Sequence, residues 1–159
     1  MEDCVFCKIV KGDIPSHKIW EDEDHLAILS IFPNTKGFTV VLTKKHFPSY
    51  AFENSDKTLI KLVLATKKVA RILDCSFEDV GICGMFFEGF GVDHLHSKLY
   101  PMHGTANMDK RKPIISASKK DFYKIYPGYL SSHDSERAGD ELLKKTAEKI
   151  RMTAKRLKL

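Results

Sequence analysis

The run Asp93-His94-Leu95-His96-Ser97-Lys98 holds the side chains in this chain best suited to chemistry. In a strand, residues two apart face the same side. His94, His96 and Lys98 therefore project together, while Leu95, Ser97 and Leu99 face the other way. An imidazole with an ordinary pKa of about 6.5 keeps a neutral fraction near pH 7 whose lone pair attacks phosphorus. A neighbouring ammonium supplies fixed positive charge for the non-bridging phosphate oxygens. The preceding Gly89-Phe90-Gly91 adds a glycine-containing loop, but it lacks the lysine of a phosphate loop and the full dinucleotide fingerprint. Taken alone, His-x-His is equally the mark of packing or surface histidines on a half-exposed strand. A second constellation, Cys4-Val5-Phe6-Cys7, is open to three readings: a redox pair, half of a zinc site, or chance spacing.

The elements that position these groups are legible along the chain. Residues 18–31 read as strand, acidic turn (Asp22-Glu23-Asp24) and strand, and Phe38 to Thr43 as a β-branched strand after the turn residues Phe32 to Gly37. A helix is expected from about Ser55 to Leu73, capped by Asn54 or Ser55. Leu59, Leu62, Val63, Thr66, Val69, Ala70 and Leu73 share one face of it. Val80 to Phe87 and Leu95 to Tyr100 read as further strands, the second ended by Pro101. Residues 105–139, with Pro113 and Pro127-Gly128, read mostly as loop. A last helix is expected from about Asp140, with Leu143, Ala147, Ile150, Ala154 and Leu157 on one face. The class is α+β: a mainly antiparallel sheet, one long helix packed on it, and a helical C-terminal extension. Trp20 and Met85-Phe86-Phe87 read as core, Cys75 and Cys83 as fillers of small apolar space, and His17, His25 and His133 as surface residues.

At 159 residues the chain suits one globular domain, with 43% hydrophobic and 30% charged residues. No apolar run approaches the roughly 20 residues of a membrane helix. The start Met1-Glu2-Asp3-Cys4 has no apolar signal core, so the expected location is cytoplasmic and disulfides are not expected. The net charge of +5 comes from the tail: from Lys144 onward seven basic residues face Glu148 alone, and the rest is nearly balanced. A solvated helix face accounts for that better than a nucleic-acid or membrane patch.

The segment from Gly89 to Gly104 resembles the signature of the histidine-triad (HIT) superfamily, His-x-His-x-His followed by two apolar residues and often proline. Cys4 to Ser16 looks like the opening of many bacterial members. Trp20-Glu21-Asp22, Ile31-Phe32-Pro33 with Gly37, and Lys44-Lys45-His46 fall where that family places equivalent features. The resemblance covers about residues 4–104. It implies a HIT domain over 1–104, with 105–159 a loop and basic helix belonging to the same globular unit, and a homodimer whose sheets join. It also implies nucleoside phosphate binding, with Ser30, Ile31, Gly89, Phe90, Gly91 and Val92 at the nucleotide and His94, His96 and Lys98 at the chemistry. His96 takes the nucleophile's place, forming a nucleotidyl-histidine that passes to water. Transfer to another acceptor, phosphorolysis and mere nucleotide binding are the alternatives. By the same resemblance Cys4, Cys7, His46 and His94 would hold a structural zinc ion, since two thiolates and two imidazoles suit tetrahedral Zn²⁺.

Four positions depart from the family pattern. Lys98 stands where the third histidine is usual, keeping the charge but, with an ordinary pKa near 10.4, moving protons less readily at neutral pH. His103 is close in sequence, but Pro101 interrupts the strand register, and a loop histidine is the favoured reading over a substitute for the third position. Ser30 replaces an aspartate that grips ribose hydroxyls, Phe38 follows Gly37 where a histidine backing the catalytic ring is common, and Phe90 lies near a usual glutamine.

Overall fold

The computed structural model describes residues 4–106 and 136–159. His133, Pro113 and Pro127, with most of the stretch read as loop, lie outside the described residues. Five strands form one antiparallel sheet: β1 (Lys18–Glu21), β2 (His25–Leu29), β3 (Thr39–Thr43), β4 (Val80–Phe86) and β5 (His96–His103). The spatial order is β1-β2-β3-β5-β4, so β5 enters between β3 and β4. Three helices accompany it: α1 (Val5–Lys11), α2 (Asp56–Ser76) and α3 (Asp140–Leu157). No described helix is long and apolar enough to cross a membrane.

β2 and β3 are buried along their whole length, which explains their unbroken apolar runs: both faces of the sheet are covered here. On one face Ala27, Leu29, Val41, Leu95 and Leu99 join the residues of α2 and α3 in the main core. On the other, Leu26, Ile28, Val40 and Leu42 pack only against Phe6, Ile9 and Val10 of α1.

Helix α2 begins where its cap predicts, with Ser55 Oγ accepting the Thr58 N–H. Its buried stripe is broader than the expected one. Ala65 and Ile72 are buried, while Val63 is 36% exposed, because this helix packs on α3 as well as on the sheet. Between α2 and β5, Thr66 and Ser97 share a hydrogen bond of 2.7 Å, a satisfied polar pair that ties strand to helix. α3 buries Leu143, Ala147, Ile150 and Ala154 as its periodicity requires.

Three local expectations are corrected. Pro101 does not end β5, which runs to His103. β3 pairs β5 only as far as Leu99, so Pro101 sits where β4 is the sole neighbour and a missing N–H breaks no two-sided ladder. Cys75 is exposed at the end of α2, and Met85 is 46% exposed on the outermost strand, so neither fills the core. His25 is not on the surface; it is 4% exposed.

β1 and β4 are the two edges. On β1, the Arg151 guanidinium of α3 bonds the Lys18 carbonyl at 2.6 Å. On β4, Gly84 lies opposite Tyr100, whose ring covers it so closely that it leaves no room for an added Cβ.

Candidate functional site

β5 carries His96 and Lys98 on the face shared with α1, opposite Leu42 and Val40 of β3. His94 stands in the turn just before the strand. The His96 ring is 3% exposed, with the edge of Phe6 against it at 5.2 Å between centroids. Its Nδ1–H donates to the His94 carbonyl at 2.6 Å, which fixes the tautomer. Nε2 has no hydrogen-bond partner among the described residues. Burial lowers the pKa of His96 below the ordinary range; the bond to His94 opposes this, and the charge of Lys98 reinforces it. At neutral pH the ring is therefore neutral, with an available lone pair on Nε2.

Lys98 does not stand as a bare cation. Its Nζ is 2.9 Å from Glu88 Oε2, and the side chains are 18% and 8% exposed. Glu88 escaped the sequence reading because only the β4–β5 pairing brings it ten residues back to Lys98. Phe6 escaped it too, since nothing in Cys-Val-Phe-Cys says which ring the phenylalanine will meet.

The residues expected at a nucleotide are spread over two loops. Ser30 continues the β2–β3 ladder by one rung, its N–H donating to the Phe38 carbonyl at 2.9 Å, and its Oγ accepts the Phe32 N–H. Ile31 is 37% exposed, and its carbonyl takes the Ala138 N–H at 2.8 Å, so the lead into α3 is fastened to this loop. Phe38 is buried near Phe86, which in turn lies against Tyr100. Gly89 to Val92 is fixed from the side: Ser49 Oγ donates to the Gly89 carbonyl and Ser49 N–H to the Asp93 carboxylate. Gly89 adopts φ +65°, and an added Cβ would meet the Ser49 carbonyl at 2.7 Å, so only glycine fits. Phe90 is 68% exposed and Gly91 opens onto clear space.

His103 is not available to replace the third histidine. Nδ1 bonds Asp79 at 3.0 Å and Nε2 bonds the Lys36 carbonyl at 2.9 Å, so both nitrogens are spent on holding the end of β5.

Cys4, Cys7, His46 and His94 converge, their ligand atoms all within 4.8 Å of one another. The sulfur–nitrogen separations are 3.4 Å (Cys4–His94), 3.4 Å (Cys7–His46) and 3.6 Å (Cys7–His94). Bonds of ~2.3 Å to sulfur and ~2.05 Å to nitrogen put a tetrahedral S···N edge at about 3.5 Å, so the donor set fits a zinc-sized ion. His94 Nε2 donates to the Thr43 carbonyl at 2.7 Å, which turns Nδ1 toward the thiols, as an outer-shell partner of a metal ligand does. α1 places the two cysteines. It is a seven-residue helix without a side-chain cap or a buried residue, closed by Gly12 at φ 88°.

Comparison with known proteins places this architecture. A profile of the HIT domain matches residues 11–104. Protein hit of Bacillus subtilis (strain 168) is 38% identical over 107 residues, covering 65% of this chain and 73% of that protein. Adenosine 5'-monophosphoramidase hnt1 of Schizosaccharomyces pombe is 36% identical over 99 residues, covering 62% of this chain and 73% of its own. A zinc-bound histidine triad family protein from Mycobacterium smegmatis shares the fold, with a TM-score of 0.70 at 22% identity over 99% of this chain and 96% of that one.

Proposed function

Because the chain belongs to the HIT domain family, we propose that it is a nucleotide hydrolase that works through a covalent intermediate on His96. Its substrate is a nucleoside phosphate ester, anhydride or phosphoramidate. The observation that carries this reading is the pairing of His96 Nδ1 with the His94 carbonyl, which leaves Nε2 with its lone pair directed away from the backbone. In the first step Nε2 attacks the α-phosphorus, a P–N bond forms, and the bond to the leaving group breaks with its electron pair going to the leaving atom. In the second, water attacks the same phosphorus and the P–N bond breaks. Nucleotide is released, Nε2 regains its lone pair, and the water proton passes to solvent. Dividing the displacement in two lowers each barrier. Lys98, held in place by Glu88, hydrogen-bonds the non-bridging oxygens or the departing atom.

Ser30, Ile31 and Gly89 to Val92 are the proposed nucleoside and phosphate contacts. Lys98 in the third triad position favours one second reading, transfer of the nucleotidyl group to an acceptor other than water. The test is incubation with adenosine 5'-phosphoramidate, quench in alkaline denaturant, under which a P–N bond to histidine persists, and intact-mass measurement. An adduct of one nucleotidyl group, absent in His96→Ala, is expected, with AMP released in water. Nucleotide bound without adduct or turnover overturns the enzymatic reading. AMP formed only when an acceptor is supplied replaces hydrolysis by transfer.

Cys4, Cys7, His46 and His94 are proposed to hold zinc, whose contribution is structural: it would pin α1 to the turn that carries His94. Metal analysis of the purified chain is expected to give one zinc per chain. The protein is further proposed to act as a homodimer through the β4 edge, with Ile82 and Met85 of that strand and Ile60 and Leu64 of α2 exposed as apolar surface. Light scattering at twice the chain mass supports this, and the mass of one chain removes it.

A further inference from the structure

The loop that follows β2 carries Ser30 and Ile31, and its two limbs are held from different parts of the chain. On the far limb, His103 Nε2 donates to the Lys36 carbonyl at 2.9 Å and the Thr35 hydroxyl to the Pro101 carbonyl at 3.4 Å, so both anchors belong to β5. On the near limb the Ile31 carbonyl accepts the Ala138 N–H at 2.8 Å, its one hydrogen bond among the described residues. We propose that the lead into α3, Arg137 to Asp140, positions this loop for the nucleoside. The Ala138 N–H fixes the Ile31 peptide, and with it the surface that Ser30 and Ile31 present. The inference rests on the nucleotide reading of those two residues given above.

The lead is built as a rigid arm. Ala138 packs against the main core, and α3 behind it is seated by the buried Leu143, Ala147 and Ile150. Arg137 folds back across the turn. Its Nη2 donates to the two Asp140 carboxylate oxygens at 3.1 and 3.3 Å, and its Nη1 to the Ala138 carbonyl at 3.3 Å. His17 Nε2 donates to the same carboxylate at 3.4 Å, while the His17 carbonyl accepts the Leu29 N–H at 3.0 Å. Leu29 is the last residue of β2. The bonds therefore run from the strand end through His17, Asp140 and Ala138 to Ile31, and return to the chain on the other side of Ser30.

The charged pairs are weak by themselves, since the Arg137 and Asp140 side chains are 51% and 66% exposed. The decisive contact is the backbone bond, and the charges keep its donor in place. A peptide held before the ligand arrives need not be ordered on binding, so releasing it weakens affinity without touching the reacting atoms. Ala138 also lies beyond residues 11–104, the stretch that the HIT domain profile matches. The restraint thus comes from the C-terminal extension and not from the segment that carries the histidines.

The test uses the full chain and two readouts: AMP affinity by calorimetry, and the rate of adduct formation at saturating adenosine 5'-phosphoramidate. Ala138→Pro removes the N–H and is expected to weaken AMP binding about tenfold, while the saturated rate stays within about twofold. Ala138→Gly keeps the N–H and should bind AMP as the parent does. Asp140→Ala keeps it too but releases Arg137 and His17; a loss of about threefold is expected, and this variant decides the matter if the proline variant does not fold. Arg151→Gln frees α3 from the Lys18 carbonyl, away from the loop, and should leave affinity unchanged. Undiminished affinity in the folded proline variant, an equal loss in Arg151→Gln, or a saturated rate that falls with affinity would each overturn the inference. A parent that binds no AMP overturns it as well. AMP bound without adduct removes the hydrolase reading alone, and the affinity series then decides this one.

Discussion

The two faces of the sheet are built on opposite terms. The face under α2 and α3 is a continuous apolar core, with Leu62, Val69, Ile72, Leu73, Leu95 and Ile150 shielded from solvent. The face under α1 has four strand residues and three partly buried helix residues, and beside them lie His96 and Lys98. One side supplies the free energy of folding, and the other spends part of it on burying an imidazole and an ion pair. The contrast singles out α1: it is a seven-residue helix, short for independent stability, with only Phe6, Ile9 and Val10 packed on the sheet, and Cys4 and Cys7 at its start meet His46 and His94.

The sharpest way to break this division is to alter each face and look for damage on the other. His96→Ala is expected to lower turnover by about a thousandfold or more with little change in the unfolding midpoint; a large loss of stability would mean that the ring is packing rather than chemistry. Ile72→Ala should do the reverse, costing about 2–5 kcal/mol in denaturant melts while activity per folded molecule is unchanged. Chelation, or Cys7→Ser, should strip hydrogen-exchange protection from Ile9 to Gly12 and leave α2 protected. Equal protection of α1 before and after would show that apolar contact suffices to hold it.

The smallest effect belongs to the end of β5. The hydrogen bond from His103 holds the Asp79 carboxyl below the usual carboxylate range. A carboxyl depressed by folding contributes stability above its unfolded pKa of about 3.9 and loses it as pH falls through the lower folded value. His103→Gln is therefore expected to lower the melting midpoint slightly at pH 6, with the gap to the parent narrowing below about pH 4. A gap that stays constant across that range would remove the pair from the account.

Much of the fold was legible because periodicity and turn chemistry are local. Ser55 announced α2, and Leu143, Ala147, Ile150 and Ala154 announced the buried side of α3. Strand alternation placed His96 and Lys98 on one side. What escaped was decided by pairing across the sheet. Glu88 meets Lys98 only through the β4–β5 register, Pro101 is tolerated only because β3 has already ended, and α1 has no side-chain cap to signal it. His25 looked like an ordinary surface residue because the acidic turn that clamps it also reads as solvent-facing. The four metal-type ligands were named through family resemblance, since residues 4 and 94 share nothing in local sequence.

The unequal margins of the sheet bear on how copies of this chain can assemble. In the dimer proposed above, β4 is the margin through which two copies join, and β1, where Arg151 bonds the Lys18 carbonyl, lies at the far margin of each sheet. A union of like margins about a twofold axis uses the same strand of both copies. Strand addition in that arrangement would stop at a pair and would not propagate into a filament.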